Sequence, residues 1–173
     1  MEKSRPDWNV PHFYTAIFYM EKLIEKEGGN PKILLPAIEL HDIGYGCGEF
    51  LSKKYTFEDN QKVRKKHMII GAKKSKEILE NLDYFTNKEI NKISYLISIH
   101  DNLKEINSHE AQLVFEADSL AQIDVEKVKP NFDKENLLIF LEDFKEKRVP
   151  LFKTKTGKNY LKILLPKIKS YYD

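Results

Sequence analysis

Residues 34–44 read LLPAIELHDIG, an apolar run of Ile38, Leu40 and Ile43 broken by the adjacent polar pair His41-Asp42. The run has helical character and is expected to span about Lys32 to Ile43, with Asn30 as its cap. Pro36 implies that this helix is kinked or starts later than it looks. Gly44, Gly46 and Gly48 then break the chain. Consecutive residues on an α-helix differ by about 100° in direction, yet at a helix end His41 and Asp42 can still converge on one point.

Outward from this segment the chain is dominated by helical periodicity. A first helix is expected from about Pro11 to Glu27, with Phe13, Ile17, Met20 and Ile24 on one stripe, Pro11 in its first turn and Gly28-Gly29 ending it. A loop of about a dozen residues follows Gly44, Gly46 and Gly48 and ends near Glu58-Asp59. The next helix covers about Asn60 to Leu82. Thr86 and Glu89 have the spacing of a capping box that opens the fourth helix, along which Ile90, Ile93, Ile97 and His100 form a stripe. Ser108 opens a fifth, with Val114, Ala117, Asp118 and Ala121 inward, and two more lie near Asp133 to Lys147 and Thr154 to Tyr172. No segment alternates as a strand does. The expected class is all-α, a compact bundle of about six to seven helices forming one domain over residues 1–173.

The bulk composition limits what the protein can do. With 41% hydrophobic and 32% charged residues, the chain of 173 residues can bury a real core. A net charge of +2 lacks the basic bias of a dedicated nucleic-acid binder. The single cysteine, Cys47, excludes an intramolecular disulfide, and its loop position reads as packing rather than as a nucleophile. Neither a signal-like N-terminus nor an apolar run of membrane-spanning length is visible, so a cytoplasmic location is expected, without a membrane partner and compatible with a homodimer.

Polar residues recur where the periodicity calls for apolar ones. His12 falls on a stripe with Ala16, Tyr19 and Leu23; His67 follows Val63 by one turn; His100 completes Ile93 and Ile97; Asp118 follows Val114 by one turn. A buried imidazole or carboxylate is costly unless it is paired or binds a metal. Any one of these residues reads as an ordinary core histidine or a helix-packing carboxylate, but the set is most economically explained by one shared object. Imidazole and carboxylate together suit a divalent ion such as Fe, Mn, Ni, Co, Zn or Mg. A carboxylate has two oxygens, so Asp42 can bridge two ions, an arrangement suited to clamping a phosphate.

The order His12, His41-Asp42, His67, His100, Asp118 resembles the HD-domain superfamily of metal-dependent phosphohydrolases. The local contexts are similar too: LLPAIELHDIG at 34–44, HMIIGAKKSKEIL at 67–79, ISYLISIHD at 93–101, EAQLVFEADSLAQID at 110–124 and a T-x-x-G tail helix within 151–172. The resemblance implies that His12, His41, Asp42 and Asp118 hold one metal and that Asp42 bridges to a second held by His67 and His100, with His41 and Asp42 at the centre of catalysis. It implies hydrolysis of a phosphoester or phosphoanhydride bond in a small nucleotide-like substrate. A di-iron oxygenase and a non-catalytic nucleotide sensor are the other activities this scaffold admits.

Cationic residues gather around His67: Lys62, Arg64, Lys65, Lys66, Lys73, Lys74 and Lys76. Most are expected to form a solvated helix face, with Lys65 and Lys66, then Lys53 and Lys54, the candidates for contact with a phosphate. Arg148 and Lys153 could reach the site mouth, and Tyr45 either lines the substrate pocket or serves plain packing. Residues 44–48, GYGCG, lack the G-K-[ST] ending of a phosphate-binding P-loop. The acidic pair Glu58-Asp59 resembles that of guanosine-tetraphosphate hydrolases of the same superfamily, but with His67 and His100 present, helix capping by Asp59 is the preferred reading. A GYP signature of the cyclic-dinucleotide branch is absent. His109 has no place in the ligand pattern and reads as a surface or capping residue.

Overall fold

The computed structural model describes the backbone of residues 6–47 and 57–171 and the side chains of residues 7–47 and 63–171. Among these residues there are seven α-helices and no strand: α1 (Pro6–Glu27), α2 (Pro31–Leu40), α3 (Phe57–Glu80), α4 (Asn87–Ile99), α5 (His109–Ile123), α6 (Lys134–Asp143) and α7 (Lys155–Lys169). A 3-10 turn at Ile43–Gly46 follows α2, and a π-helical turn at Phe144–Arg148 with a 3-10 turn at Val149–Leu151 joins α6 to α7. The all-α class expected from periodicity is the class observed. No described helix is long and apolar enough to cross a membrane.

The helix starts follow from local hydrogen bonding. Asn30, Ser108, Asp133 and Thr154 each turn a side-chain oxygen onto a first-turn backbone N–H of α2, α5, α6 and α7. Each satisfies a donor that the helix itself leaves unpaired. Thr86 and Glu89 form the expected capping box of α4: Glu89 N–H donates to Thr86 Oγ1 at 3.3 Å and Thr86 N–H to Glu89 Oε2 at 2.7 Å.

Helix α5 is the central element. Every side chain from Ala111 to Ala121 is buried, so the helix is enclosed on all sides rather than along one stripe. It packs against α1, α2, α4 and α7. Tyr19, Met20 and Leu23 of α1, Leu34 and Ile38 of α2, Ile93 and Ile97 of α4, Phe115 and Leu120 of α5, and Leu164 and Ile168 of α7 belong to one continuous core. The sequence pattern assigned α5 only one inward face, because its polar residues Gln112, Glu116 and Ser119 look like solvent positions. All three are buried.

Two boundaries differ from expectation in ways that matter for the site. α1 begins at Pro6, so Pro11 lies inside the helix and His12 sits well along it. As the sixth residue of α1, Pro11 lies past the four N–H groups that a helix leaves unpaired, so its missing N–H removes the helical partner of the Asp7 carbonyl. α2 runs from Pro31 and stops at Leu40. His41 still has helical dihedrals, Asp42 has φ −98° and ψ 9°, and the 3-10 turn begins beyond it. The His-Asp pair therefore occupies the break between two helical segments.

Candidate metal centre

Six buried side chains from five elements meet at this break. Asp42 is in the middle and divides the group through its two carboxylate oxygens. Oδ2 lies 3.5 Å from His41 Nε2 and 3.8 Å from His12 Nε2. Oδ1 lies 3.5 Å from His67 Nε2 and 3.6 Å from His100 Nε2. Asp118 closes the first half, its Oδ1 being 3.1 Å from His12 Nε2 and 3.4 Å from His41 Nε2. Within each half the two imidazole Nε2 atoms are 3.2 Å apart. α1 supplies His12, the end of α2 supplies His41 and Asp42, α3 supplies His67, the end of α4 supplies His100 and α5 supplies Asp118.

The imidazoles are oriented in two ways. His41 Nδ1 and His100 Nδ1 each lie 2.7 Å from a carbonyl oxygen three residues earlier, of Ile38 and Ile97. A carbonyl only accepts, so each Nδ1 carries the proton and in the neutral ring each Nε2 presents a lone pair to the centre. Among the described residues, His12 and His67 have no hydrogen-bond partner at Nδ1. Their rings are instead stacked flat on aromatic neighbours: His12 on Trp8 at 4.4 Å and 11°, His67 on Tyr45 at 4.1 Å and 15°. One ring in each half is thus fixed by a backbone carbonyl and the other by an aromatic face. Paired Nε2 atoms aimed at each other across a carboxylate oxygen form a donor set that fits a divalent cation in either half.

The protonation balance of the two halves differs. Burial disfavours the His41 imidazolium, but Asp42 and then Asp118 outweigh it and raise its pKa to about 9. Burial, followed by repulsion from His100, lowers the His67 pKa to about 4. Burial also opposes the charged forms of Asp42 and Asp118, yet the surrounding histidines hold both carboxyls well below their usual range. An imidazole must lose its second proton to bind a metal. At neutral pH, metal entering the His41 half therefore displaces a proton from His41, whereas His67 is already neutral. Calorimetric titration with Mn2+ between pH 6 and 8 should show affinity in one site rising by up to about tenfold per pH unit, more steeply than in the other. Two sites with the same pH slope would contradict this assignment.

Behind the centre, polar partners fix Asp118 and its surroundings. Asp118 Oδ2 accepts from Gln122 Nε2 at 2.8 Å and lies 3.6 Å from Arg148 Nη1. Arg148 is 2% exposed, donates to Ser119 Oγ at 2.8 Å and pairs through Nη2 with Asp101 Oδ1. The other oxygen of Asp101 meets Arg64 Nε at 3.2 Å. Burial would raise the Asp101 pKa, but Arg148 and Arg64 hold it low.

The centre opens into a cleft of about 700 Å³, counted to its mouth, with Asp42, His100 and Asp118 at the bottom. Tyr45, expected in the pocket lining, is there, and it also backs His67. Lys65 and Lys66 are exposed, and the α3 residue on the cleft wall is Arg64. The helix explains the difference: a residue three positions before His67 shares its face, while adjacent positions turn away. Arg148, expected at the mouth, is buried beneath the centre, since the π-helical turn Phe144–Arg148 delivers it inward. Lys153 is exposed and contributes its backbone N–H to Glu116. His109 is exposed, its Nε2 3.2 Å from the Glu27 carbonyl oxygen, and takes no part in the centre. Lys53 and Lys54 lie outside the described residues, as do the side chains of Glu58 and Asp59.

The sequence reading passed over Trp8, Asp101 and Gln122. Asp101 had a visible signal, because His100-Asp101 repeats the His41-Asp42 dipeptide at a second helix end. Gln122 and Trp8 had weaker ones, each lying one turn from a proposed ligand, Asp118 and His12.

Comparison with curated proteins and with solved structures found no match. The family model of the HD domain matches residues 10–123, a span that contains all six converging side chains. This chain belongs to the HD-domain family.

Proposed function

We propose that this protein is a metal-dependent phosphohydrolase that cleaves a phosphoester or phosphoanhydride bond in a small nucleotide-like substrate. The observation that carries this reading is the division of Asp42 between two histidine pairs, which makes one carboxylate common to two cation sites. Bound divalent ions supply Lewis acidity toward phosphoryl oxygens and acidify a water at neutral pH.

The chain's own residues prepare the site for such a substrate. Asp42 and Asp118, held ionised by the histidines around them, offer oxygens that need not lose a proton first. Gln122 and Arg148 pin the outer oxygen of Asp118, leaving the inner one toward His12 and His41. Trp8 and Tyr45 cover the rings of His12 and His67 and restrict their rotation. The cleft combines apolar walls with a few polar groups, as small-molecule sites do.

The test is phosphate release by protein loaded separately with Mn2+, Fe2+, Co2+, Ni2+ and Mg2+, over nucleoside mono-, di- and triphosphates and sugar phosphates, with oxygen uptake followed in parallel. Release is expected with at least one metal and substrate. A His41→Ala, Asp42→Ala double variant should lose it while keeping the wild-type helical circular dichroism. Undiminished release in that variant would sink the assignment. Oxygen uptake without phosphate release would replace it with an oxygenase, and tight nucleotide binding without turnover with a sensor.

A further inference from the structure

The cleft is lined by two unlike groups of residues. One holds Arg64 with Asp42, His100 and Asp118, and Arg64 is tied to this group through Asp101, the neighbour of His100. The other is apolar: Pro130, Phe132, Leu137, Phe140 and Ile168. All five come from beyond residue 123, where the match to the family model ends. This apolar wall is therefore contributed by a part of the chain that the family region does not include.

Arg64 is placed rather than merely present. Asp101 Oδ2 engages its Nε at 3.2 Å, and the opposite oxygen of Asp101 is fixed by Arg148, which is itself buried and bonded to Ser119. A guanidinium has five N–H donors in a planar fork, and an acceptor at Nε leaves the terminal nitrogens with the geometry that suits two oxygens of one phosphoryl group. In the apolar group Phe132 lies 5.8 Å from Phe140, and Phe140 lies 5.6 Å from the buried Phe144, so this part of the lining is an aromatic surface backed by the core. Such a surface favours a flat apolar group.

We propose that the cleft takes a phosphate ester across both groups: Arg64 grips the phosphoryl oxygens beside Asp42, and a flat aromatic group of nucleobase or aryl kind lies against Phe132 and Phe140. The proposal rests on the phosphohydrolase reading and specifies its substrate class. Arg64 is then the residue that recognises phosphate, and the segment after residue 123 selects what the phosphate is attached to.

The two groups can be dissociated experimentally. Inorganic phosphate binding to Mn2+-loaded protein is measured by calorimetry, and kcat/KM is compared for phenyl phosphate and glycerol 2-phosphate. Trp8, the single tryptophan, stacks on His12 and reports Mn2+ binding by fluorescence. Arg64→Gln should weaken phosphate binding by about tenfold or more, since a charge-assisted pair is lost, with Mn2+ affinity within about twofold of wild type by the Trp8 signal, and Arg64→Lys should restore part of it. Phe132→Ala should leave phosphate affinity within about twofold but lower the aryl-to-alkyl ratio about fivefold, the scale of one aromatic contact. Unchanged phosphate affinity in Arg64→Gln, or an unchanged ratio in Phe132→Ala, would overturn the proposal. If wild-type protein hydrolyses no ester, the phosphohydrolase reading fails by itself, and the calorimetric comparison still decides the role of Arg64.

Discussion

An Asp42→Asn variant is expected to lose metal from both halves of the centre at once and to lower turnover by about 10^3-fold or more, the scale on which one aligned electrostatic group acts in a catalytic site. The reason is the shared carboxylate. Oδ2 belongs to the His12–His41 half and Oδ1 to the His67–His100 half. An amide of the same shape keeps one oxygen, turns two N–H donors toward the other half and removes the negative charge both halves share. The histidines that hold Asp42 ionised also lose their counter-charge, and a cation held between either pair of Nε2 atoms loses the anionic oxygen that offsets its charge. His67→Ala, by contrast, removes a donor from one half only. Metal content per chain by mass spectrometry should therefore fall toward zero for Asp42→Asn and toward one ion for His67→Ala, with helical circular dichroism unchanged in both. Equal losses in the two variants would mean that Asp42 is not shared.

How much of this site could be read from the sequence depends on how local the signal is. His12, His67 and His100 were visible because each sits on an apolar stripe of its own helix, where an imidazole is out of place. Their convergence could only be inferred, since it depends on how α1 and α4 pack against α5 and how α3 packs against α4. Gly44 shows the same limit. Its glycine suggested a tight turn, but its φ is not positive; the positive values are at Gly28 and Gly29, which end α1. What Gly44 permits is close approach, because a Cβ there would stand 2.1 Å from the His67 carbonyl oxygen. That contact joins the turn after Asp42 to α3 and is a property of two elements, so no single-segment pattern carries it. Arg148 is a still clearer case: a π-helical turn shifts the register of side chains relative to an α-helix, and periodicity written for 3.6 residues per turn cannot anticipate where the arginine will point. Arg64 was recoverable, since its spacing of three from His67 already put it on the ligand face, yet the number of lysines around it hid the one cation among the described residues that lines the cleft.

Gly157→Ala should destabilise the fold by about 3–5 kcal/mol, the cost of disrupting a buried, fully partnered charge. Local reasoning predicts the opposite sign. Gly157 lies in the first turn of α7, its φ is not positive, and glycine-to-alanine replacement inside a helix ordinarily stabilises by about 0.5–1 kcal/mol. The reversal comes from Glu116 on α5, which is fully buried. Its Oε1 accepts from Gln112 Nε2 at 2.7 Å, Lys153 N–H at 2.7 Å and Thr154 N–H at 3.0 Å, and its Oε2 accepts from the Thr154 hydroxyl. A Cβ on residue 157 would stand 2.0 Å from that Oε2 and 2.9 Å from Thr154 Oγ1, which also caps α7 by accepting from Gly157 N–H. The carboxylate has no solvent to retreat into, so making room for one methyl breaks several charge-assisted bonds at once or pushes the start of α7 away from α5. The second outcome would move Ile168, and with it part of the apolar wall of the cleft. Urea denaturation of the wild type, Gly157→Ala and Thr154→Ser separates the causes. Thr154→Ser retains the hydroxyl and should cost well under half as much, while a Gly157→Ala variant as stable as wild type would show that Glu116 does not anchor α7 in the way its hydrogen bonds indicate.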